Sequence, residues 1–279
     1  MQVKLTLARD GETRGMCELF AMCSRQPTDA RASLGVFARH GGLDAPHGDG
    51  WGLAYYAEGD VRLVKDPEPA WRSECLRFMN EHPFASTLVI SHIRRATQGR
   101  LAMKNCQPFA RELGGRMHVF AHNGDLDLPV LRQRMPLARF QPIGDTDSEY
   151  AFCALLERLT PGESLDDRLA ALAGFAAGLR ALGPANFLYA DGETLFLHGD
   201  RRSPGGGQPP VPPGLHVLER SCPPDQQVLL AASVPLTEEA GWRALARGDL
   251  LALRAGRIVA ACTAESSSRS TAALPRSAA

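Results

Sequence analysis

The chain has 279 residues, and its 31 basic residues balance its 31 acidic residues. This balance excludes the basic surface that nucleic acids and anionic membranes require, so we expect no nucleic-acid or membrane partner. With 44% hydrophobic residues and no apolar run near the roughly 18 residues of a membrane span, the composition is typical of a soluble globular protein. Seven cysteines without a C-x-x-C pair favour a reducing compartment, so we expect a cytoplasmic protein.

Most of the predicted elements are strands, with two helices in the middle of the chain. The pattern predicts strands at 19–23, 51–56, 61–65, 87–93 and 117–121, helices at 147–159 and 165–182, and strands at 186–190, 195–198, 228–232, 250–253 and 258–261. This order favours an α+β layered fold over a regular alternation of strands and helices.

One domain is expected at 17–264. Residues 1–16 are charged and poorly patterned, and we interpret them as a leader, a propeptide or a mis-assigned start. Residues 265–279 are rich in Ser and Ala and predict a disordered tail. Segment 203–214 is rich in Gly and Pro and predicts a long surface loop.

Cys17 is a candidate nucleophile because it follows Met16 directly. If translation begins at Met16 and that methionine is removed, Cys17 becomes the N-terminus. An N-terminal cysteine carries its own base, because an α-amine with a pKa of about 7.7–8.0 is partly neutral near pH 7. The alternative is that Cys17 is one more buried small hydrophobic residue.

Asn123-Gly124 follows a predicted strand and could form an oxyanion hole from one side-chain amide and one backbone N–H. The same dipeptide is also the commonest signal of a hairpin turn.

Arg94 and Asp147 could hold the two charged ends of an α-amino acid, and Thr97 could add a hydroxyl contact. The alternatives are an ordinary ion pair or, for Asp147, a place in a capping box that runs from Thr146 to Glu149.

Metal and cofactor motifs are missing from the sequence. His118 and His122 lie about 13 Å apart if they share a strand, too far to bind one metal ion. There is no G-x-G-x-x-G, G-x-x-x-x-G-K-[ST] or G-x-S-x-G motif, so we expect no metal, no cofactor and no serine nucleophile.

Taken together and in order, these motifs resemble those of the class II glutamine amidotransferases, which are N-terminal nucleophile hydrolases, and most of all their stand-alone YafJ-like branch. The matching segments are Met16-Cys-Glu-Leu19, Asp49-Gly-Trp-Gly-Leu-Ala54, His92-Ile-Arg-Arg-Ala-Thr97, Asn105-Cys-Gln-Pro-Phe109, Ala121-His-Asn-Gly124 and Asp145-Thr-Asp-Ser-Glu149.

The resemblance implies a four-layer αββα sandwich and hydrolysis of a γ-glutamyl amide through a thioester. It implies Cys17 as the nucleophile and Asn123 with Gly124 as the oxyanion hole. It further implies that Arg94 binds the α-carboxylate of glutamine, with Thr97 nearby, and that Asp147 binds its α-amine.

Three departures from the family pattern matter. Sixteen residues precede Cys17, so we expect either a start at Met16 or removal of a propeptide. Arg95 and Gln98 replace the Trp and His of many full-length amidotransferases. No synthase domain follows, so a partner synthase would have to accept the ammonia. Two alternatives stay open: a hydrolase of larger γ-glutamyl compounds, as in ergothioneine pathways, and an inactive regulatory or binding homologue.

Overall fold

The computed structural model describes residues 16–45, 47–204 and 207–263. Apart from Met16, the predicted leader at 1–16 and the predicted tail at 265–279 lie outside these residues. Within the described ranges, no helix is both long and apolar enough to cross a membrane.

Two antiparallel sheets face each other at the centre of the protein. The strands in the described part of the chain are β1 (Glu18–Thr28), β2 (Trp51–Ala57), β3 (Asp60–Asp66), β4 (Ser86–Ile93), β5 (Phe109–Leu113), β6 (Arg116–Gly124), β7 (Ala185–Ala190), β8 (Leu195–His198), β9 (His216–Cys222), β10 (Gln226–Ala232), β11 (Arg243–Ala244), β12 (Leu250–Arg254) and β13 (Arg257–Cys262). The first sheet has the order β11-β9-β10-β1-β4-β2-β3, and the second has the order β13-β12-β8-β7-β6-β5.

Helices cover the outer face of each sheet. In the described ranges they are α1 (Arg31–His40), α2 (Glu74–Glu81), α3 (Leu128–Arg134), α4 (Asp147–Leu156) and α5 (Leu165–Arg180). One apolar core lies between the sheets, a second lies under α1 and α2, and a third lies under α3, α4 and α5. The expected four-layer αββα sandwich is therefore confirmed.

The side chains of β1 alternate between two cores, as the period of a strand requires. Leu19, Ala21 and Cys23 face the core between the sheets, whereas Phe20 and Met22 face the core beneath α1. Continuing this alternation back by two residues from Leu19 directs Cys17 toward the space between the sheets.

The sequence pattern missed three short helices, α1, α2 and α3. Gly35 interrupts the apolar pattern of α1, and that helix has no side-chain cap at its N-terminus. The helices α2 and α3 have only eight and seven residues, too few to show several turns of periodicity. The predicted helices at 147–159 and 165–182 are present but end at Leu156 and Arg180.

The side chain of Gln107 completes the second sheet where β5 does not reach. Its Nε2 donates to the His122 carbonyl at 3.1 Å, and its Oε1 accepts from the His122 N–H at 2.7 Å. Both bonds are buried, so the amide of Gln107 replaces a strand partner one residue before Asn123.

Gln107→Leu should lower the free energy of unfolding by about 2–4 kcal/mol, because two buried backbone groups lose their partner. Chemical denaturation of the variant measures this loss. Gln133→Leu, on the exposed side of α3, is the matched control and should change the unfolding free energy by less than about 0.5 kcal/mol. Equal stability of the Gln107 variant and the wild type would contradict this role.

Candidate active site

Cys17 lies directly before β1, against the segment that follows the neighbouring strand β4. Its Sγ donates to the Arg95 carbonyl at 3.1 Å and accepts from the Arg95 N–H at 3.1 Å. The residue is partly exposed. The backbone of Arg95 thus fixes the direction of the thiol.

The thiol of Cys17 is neutral near pH 7. Burial raises its pKa to about 11, the positive charge of Arg94 opposes this rise, and the negative charge of Asp147 adds to it. Attack on a carbonyl needs the thiolate, so a base must remove this proton.

The nearby buried histidines are weak bases. Burial lowers the pKa of His92 to about 3, and neither of its ring nitrogens has a hydrogen-bond partner in the described part of the chain. Burial also lowers the pKa of His122, whose Nδ1 lies 2.9 Å from Ser148 Oγ. Neither side chain is suited to deprotonate the thiol.

Ser233 connects β1, the strand that follows Cys17, with Asn123 on the facing sheet. Its hydroxyl accepts from the Leu19 N–H at 3.0 Å and from Asn123 Nδ2 at 3.2 Å. Asn123 is fully buried, and its Oδ1 has no donor among the described residues. The amide of Asn123 is thus held near Cys17, and its hydrogen-bonding groups are not all used by the described residues.

Gly124 ends β6, where the chain passes very close to its neighbours. A Cβ atom at this position would lie 1.9 Å from the Pro184 carbonyl oxygen and 2.4 Å from His122 Nε2. Only glycine fits there without moving backbone. The predicted hairpin alternative for Asn123-Gly124 is wrong, because the chain continues from Gly124 into the loop before α3.

Arg94 is 3% exposed and holds the loop that follows it. Its Nη2 donates to the carbonyls of Gln98 at 2.8 Å and Gly99 at 3.1 Å, and its Nη1 donates to those of Asp49 and Arg100, each at 3.3 Å. The guanidinium therefore shapes this loop, and its positive charge partly opposes the rise in the pKa of Cys17 that burial causes.

Asp147 begins α4 and is 3% exposed. Its Oδ2 accepts from the Leu126 N–H at 2.8 Å, and its Oδ1 accepts from Ser148 Oγ at 3.4 Å. Burial raises its pKa, while the nearby His122 opposes the rise. Because its charge acts on Cys17, Asp147 belongs to the same site as Arg94.

Only half of the predicted capping box forms at the start of α4. Thr146 Oγ1 accepts from the Glu149 N–H at 3.2 Å. The Glu149 carboxylate instead accepts from Arg111 and from the N–H groups of Ile143 and Gly144.

Thr97 is separated from the buried residues of this group. It lies exposed on the loop that Arg94 holds, and it makes no hydrogen bond with the described residues.

The Glu18 carboxylate is the centre of a charged cluster beside Cys17. Glu18 is 5% exposed; its Oε2 lies 2.7 Å from His40 Nδ1, and its Oε1 lies 3.4 Å from His47 Nε2 and 3.8 Å from Arg202 Nη2. Although burial alone raises the pKa of Glu18, the hydrogen bonds from His40 and His47 lower it to about 2. The hydrogen bond to Glu18 raises the pKa of His40 in turn.

Two further side chains hold the loops around the site. Asn105 Nδ2 donates to the Arg100 carbonyl at 3.0 Å, and its Oδ1 accepts from the Asp145 N–H at 2.8 Å. Gln98 Nε2 donates to Asp125 Oδ1 at 2.7 Å. The described residues contain no group of three or more His, Cys, Asp or Glu that could hold a metal ion.

A model of the family "Glutamine amidotransferases class-II" matches residues 16–277. The chain belongs to the class II glutamine amidotransferases. The Escherichia coli (strain K12) protein named "Putative glutamine amidotransferase YafJ" is 34% identical over 248 residues, which cover 84% of this chain and 96% of that protein.

Solved structures of amidotransferases resemble this fold. A "predicted glutamine amidotransferase" from Pseudomonas aeruginosa PA01 superimposes with a TM-score of 0.63 at 28% identity, covering 88% of this chain and all of that one. Glutamine phosphoribosylpyrophosphate amidotransferase from B. subtilis gives a TM-score of 0.62 at 18% identity and covers 88% of this chain but only 49% of its own. At that identity the second likeness shows the fold alone.

No motif in the sequence indicates a role for Ser233, Glu18 or Arg202 in this site. Ser233 is a lone hydroxyl after a strand, a position at which serine is common. Glu18 had a signal, since it lies inside the Met-Cys-Glu-Leu motif and a carboxylate near the start of a strand needs a partner. Arg202 precedes the Gly/Pro-rich segment, and no local pattern connects it with Cys17.

His40→Gln should lower the free energy of unfolding by about 1.5–3 kcal/mol in mildly acidic solution, where His40 is charged. The pKa of His40 is raised in the folded state, so the stability from its pair with Glu18 is fully present below its ordinary value of 6.5. That stability is lost as pH rises through the higher folded value. The difference in unfolding free energy between wild type and variant should therefore shrink with increasing pH.

Denaturant titrations across this pH range measure the effect, with His82→Gln at the end of α2 as the control. A difference that stays constant or grows with pH would contradict the assignment.

Proposed function

We propose that this protein hydrolyses a γ-glutamyl amide, glutamine or a related compound, through an N-terminal cysteine. The Cys17 α-amine takes the thiol proton, and the sulfur attacks the γ-carbonyl carbon. The resulting ammonium protonates the leaving nitrogen, the C–N bond breaks, and a thioester remains. Water then attacks the thioester with the α-amine as base, releasing glutamate and the free thiol.

The base assignment follows from what surrounds the thiol. Cys17 has a raised pKa, the buried His92 and His122 have lowered pKa values, and His40 is paired with Glu18. The α-amine of Cys17 is on the same residue and can act only when Met16 is absent, because an amide nitrogen is not a base. Activity therefore depends on a chain that begins at Cys17.

Asn123 and Gly124 are the proposed oxyanion donors. Asn123 Nδ2 carries two hydrogens, of which one is directed to Ser233. The second hydrogen and the Gly124 N–H are available to a developing negative charge between the sheets. Each such donor is typically worth about 2.7–4 kcal/mol at the transition state.

Arg94 and Asp147 are proposed to orient the amino-acid end of the substrate. They provide opposite charges that both act on Cys17, which suits the carboxylate and the ammonium of a glutamyl group. Thr97, exposed on the same loop, could approach the substrate carboxylate. Positioning of this kind makes the attack effectively intramolecular.

The observation that carries this proposal is the Ser233 bridge, which connects the amide of Asn123 with Leu19 on the strand that directly follows Cys17. If glutamine is the substrate, ammonia is the product. A partner synthase that accepts ammonia is then part of the proposal.

Cys17→Ala should abolish turnover, by about a thousandfold or more, because no other group forms the thioester. Protein whose intact mass begins at Cys17 should release glutamate from glutamine, and protein that keeps Met16 should not. Cys75→Ala removes an exposed cysteine and is the matched control. Undiminished activity of the Cys17 variant would contradict the mechanism, and an inactive Cys17 terminus would favour a regulatory role.

Arg94→Lys should raise KM by about tenfold to a hundredfold, because one ammonium cannot both make the four carbonyl contacts that hold the loop and present its charge to the substrate carboxylate. The change in kcat should be smaller. Steady-state kinetics separate the two constants, and a denaturation curve checks that the loop formed by 98–100 still folds. Arg100→Lys, exposed on the same loop, is the control. A fall in kcat with unchanged KM would argue against a binding role.

A further inference from the structure

Arg202 is a second cation beside the nucleophile, and its donors are poorly used. Its side chain is 16% exposed. Nη1 donates to the Ser233 carbonyl at 3.5 Å, Nη2 lies 3.8 Å from Glu18 Oε1, and Nε has no acceptor in the described part of the chain. A largely buried guanidinium usually has a closely bonded carboxylate, which Arg202 lacks.

The Glu18 carboxylate has closer partners than Arg202. His40 Nδ1 lies 2.7 Å and His47 Nε2 lies 3.4 Å from this carboxylate, against 3.8 Å for Arg202 Nη2. The Arg202 guanidinium therefore has no close carboxylate partner among the described residues. A desolvated cation without a close anion is suited to an anion that is supplied from outside.

Arg202 and Arg94 lie on opposite flanks of Cys17. In the first sheet, β1 has β4 on one side and β10 on the other. Arg94 follows β4, whereas Arg202 contacts Ser233, which follows β10. If Arg94 and Asp147 hold the glutamyl end of a substrate, the leaving amine extends toward Arg202.

The position of Arg202 is fixed by its neighbours. Its N–H donates to the Val211 carbonyl at 3.0 Å, and the Val211 N–H donates to the Arg202 carbonyl at 2.9 Å, which closes the loop between them. Asn186 Nδ2 donates to the carbonyls of Arg201 at 2.9 Å and Asn123 at 3.1 Å. This side chain links the base of the loop to the oxyanion residue.

The same loop touches the residue before the nucleophile. The Ser203 N–H donates to Met16 Sδ at 3.0 Å. Met16 thus occupies space beside Arg202, and its removal would open that space at the same time as it exposes the α-amine of Cys17.

We propose that Arg202 recognises a carboxylate on the leaving amine, so that the preferred substrates are γ-glutamyl amino acids or peptides. This assignment rests on the proposed function. Hydrolysis then consumes one water, breaks the γ-glutamyl C–N bond and releases glutamate and an α-amino acid. Arg202 is a specificity residue that contacts the leaving group without taking part in proton transfer.

The test compares γ-glutamylglycine, which has a carboxylate on its amine side, with γ-glutamylmethylamide, which has none. Protein that begins at Cys17 should show a kcat/KM about tenfold or more higher for γ-glutamylglycine. Arg202→Met should bring the ratio of the two values close to one, chiefly through KM. Arg202→Lys keeps the positive charge but loses the two-pronged hydrogen-bonding geometry of a guanidinium, so it should give an intermediate ratio. If Arg202→Met does not fold, Arg202→Lys still tests the proposal.

Arg243→Met, at an exposed arginine of β11, is the control and should keep the wild-type ratio. An equal kcat/KM for both compounds in the wild type would overturn the inference, as would an Arg202 variant that slows both equally. If the protein hydrolyses glutamine but does not prefer γ-glutamylglycine over γ-glutamylmethylamide, the role of Arg202 is overturned and the proposed function stands. A failure to turn over glutamine and both γ-glutamyl compounds would overturn the proposed function together with it.

Discussion

One hydroxyl group joins the two sheets where the chemistry is proposed to occur. Face-to-face sheets lie about 10 Å apart, so groups from both can act on one substrate only if side chains bridge the gap. Ser233 Oγ does this by accepting from Leu19 on one sheet and Asn123 on the other. The same residue continues the pairing of β10 with β1, since its N–H donates to the Leu19 carbonyl at 3.0 Å. The distance between Cys17 and Asn123, the proposed nucleophile and the proposed oxyanion donor, depends on this bridge.

The strands that border the site were predictable because their apolar runs are long and end in polar residues. The predicted strands at 87–93 and 117–121 are present as β4 and β6, with Arg94 following β4 and Asn123 near the end of β6. The helices α1 and α2 were not predictable. The helix α1 has no side-chain cap, and α2 is capped by Ser73 but has only eight residues. Both helices pack on the outer face of the first sheet through residues such as Leu34, Phe37 and Leu76. Helices this short depend largely on tertiary packing, which a local pattern does not specify.

The residues of the site likewise divide into those that stand in local motifs and those that only the tertiary structure brings together. Cys17, Asn123 and Asp147 stand in short motifs that the sequence displays, and the structure places two charged residues of the motifs, Arg94 and Asp147, within electrostatic reach of the thiol. The partners of Glu18 come from 22, 29 and 184 residues further along the chain, at His40, His47 and Arg202. Pairings over such separations follow from topology, which no single motif specifies. The proposed chemistry depends on Cys17 and its own α-amine.

The most direct test of that claim is covalent labelling with a diazoketone analogue of glutamine, followed by intact-mass analysis and peptide mapping. We predict one adduct, on Cys17, in protein that begins at this residue, and none in protein that keeps Met16. Free glutamine should protect the thiol, because both compounds need the same site. Equal labelling of protein with and without Met16, or labelling of another of the seven cysteines, would contradict the account.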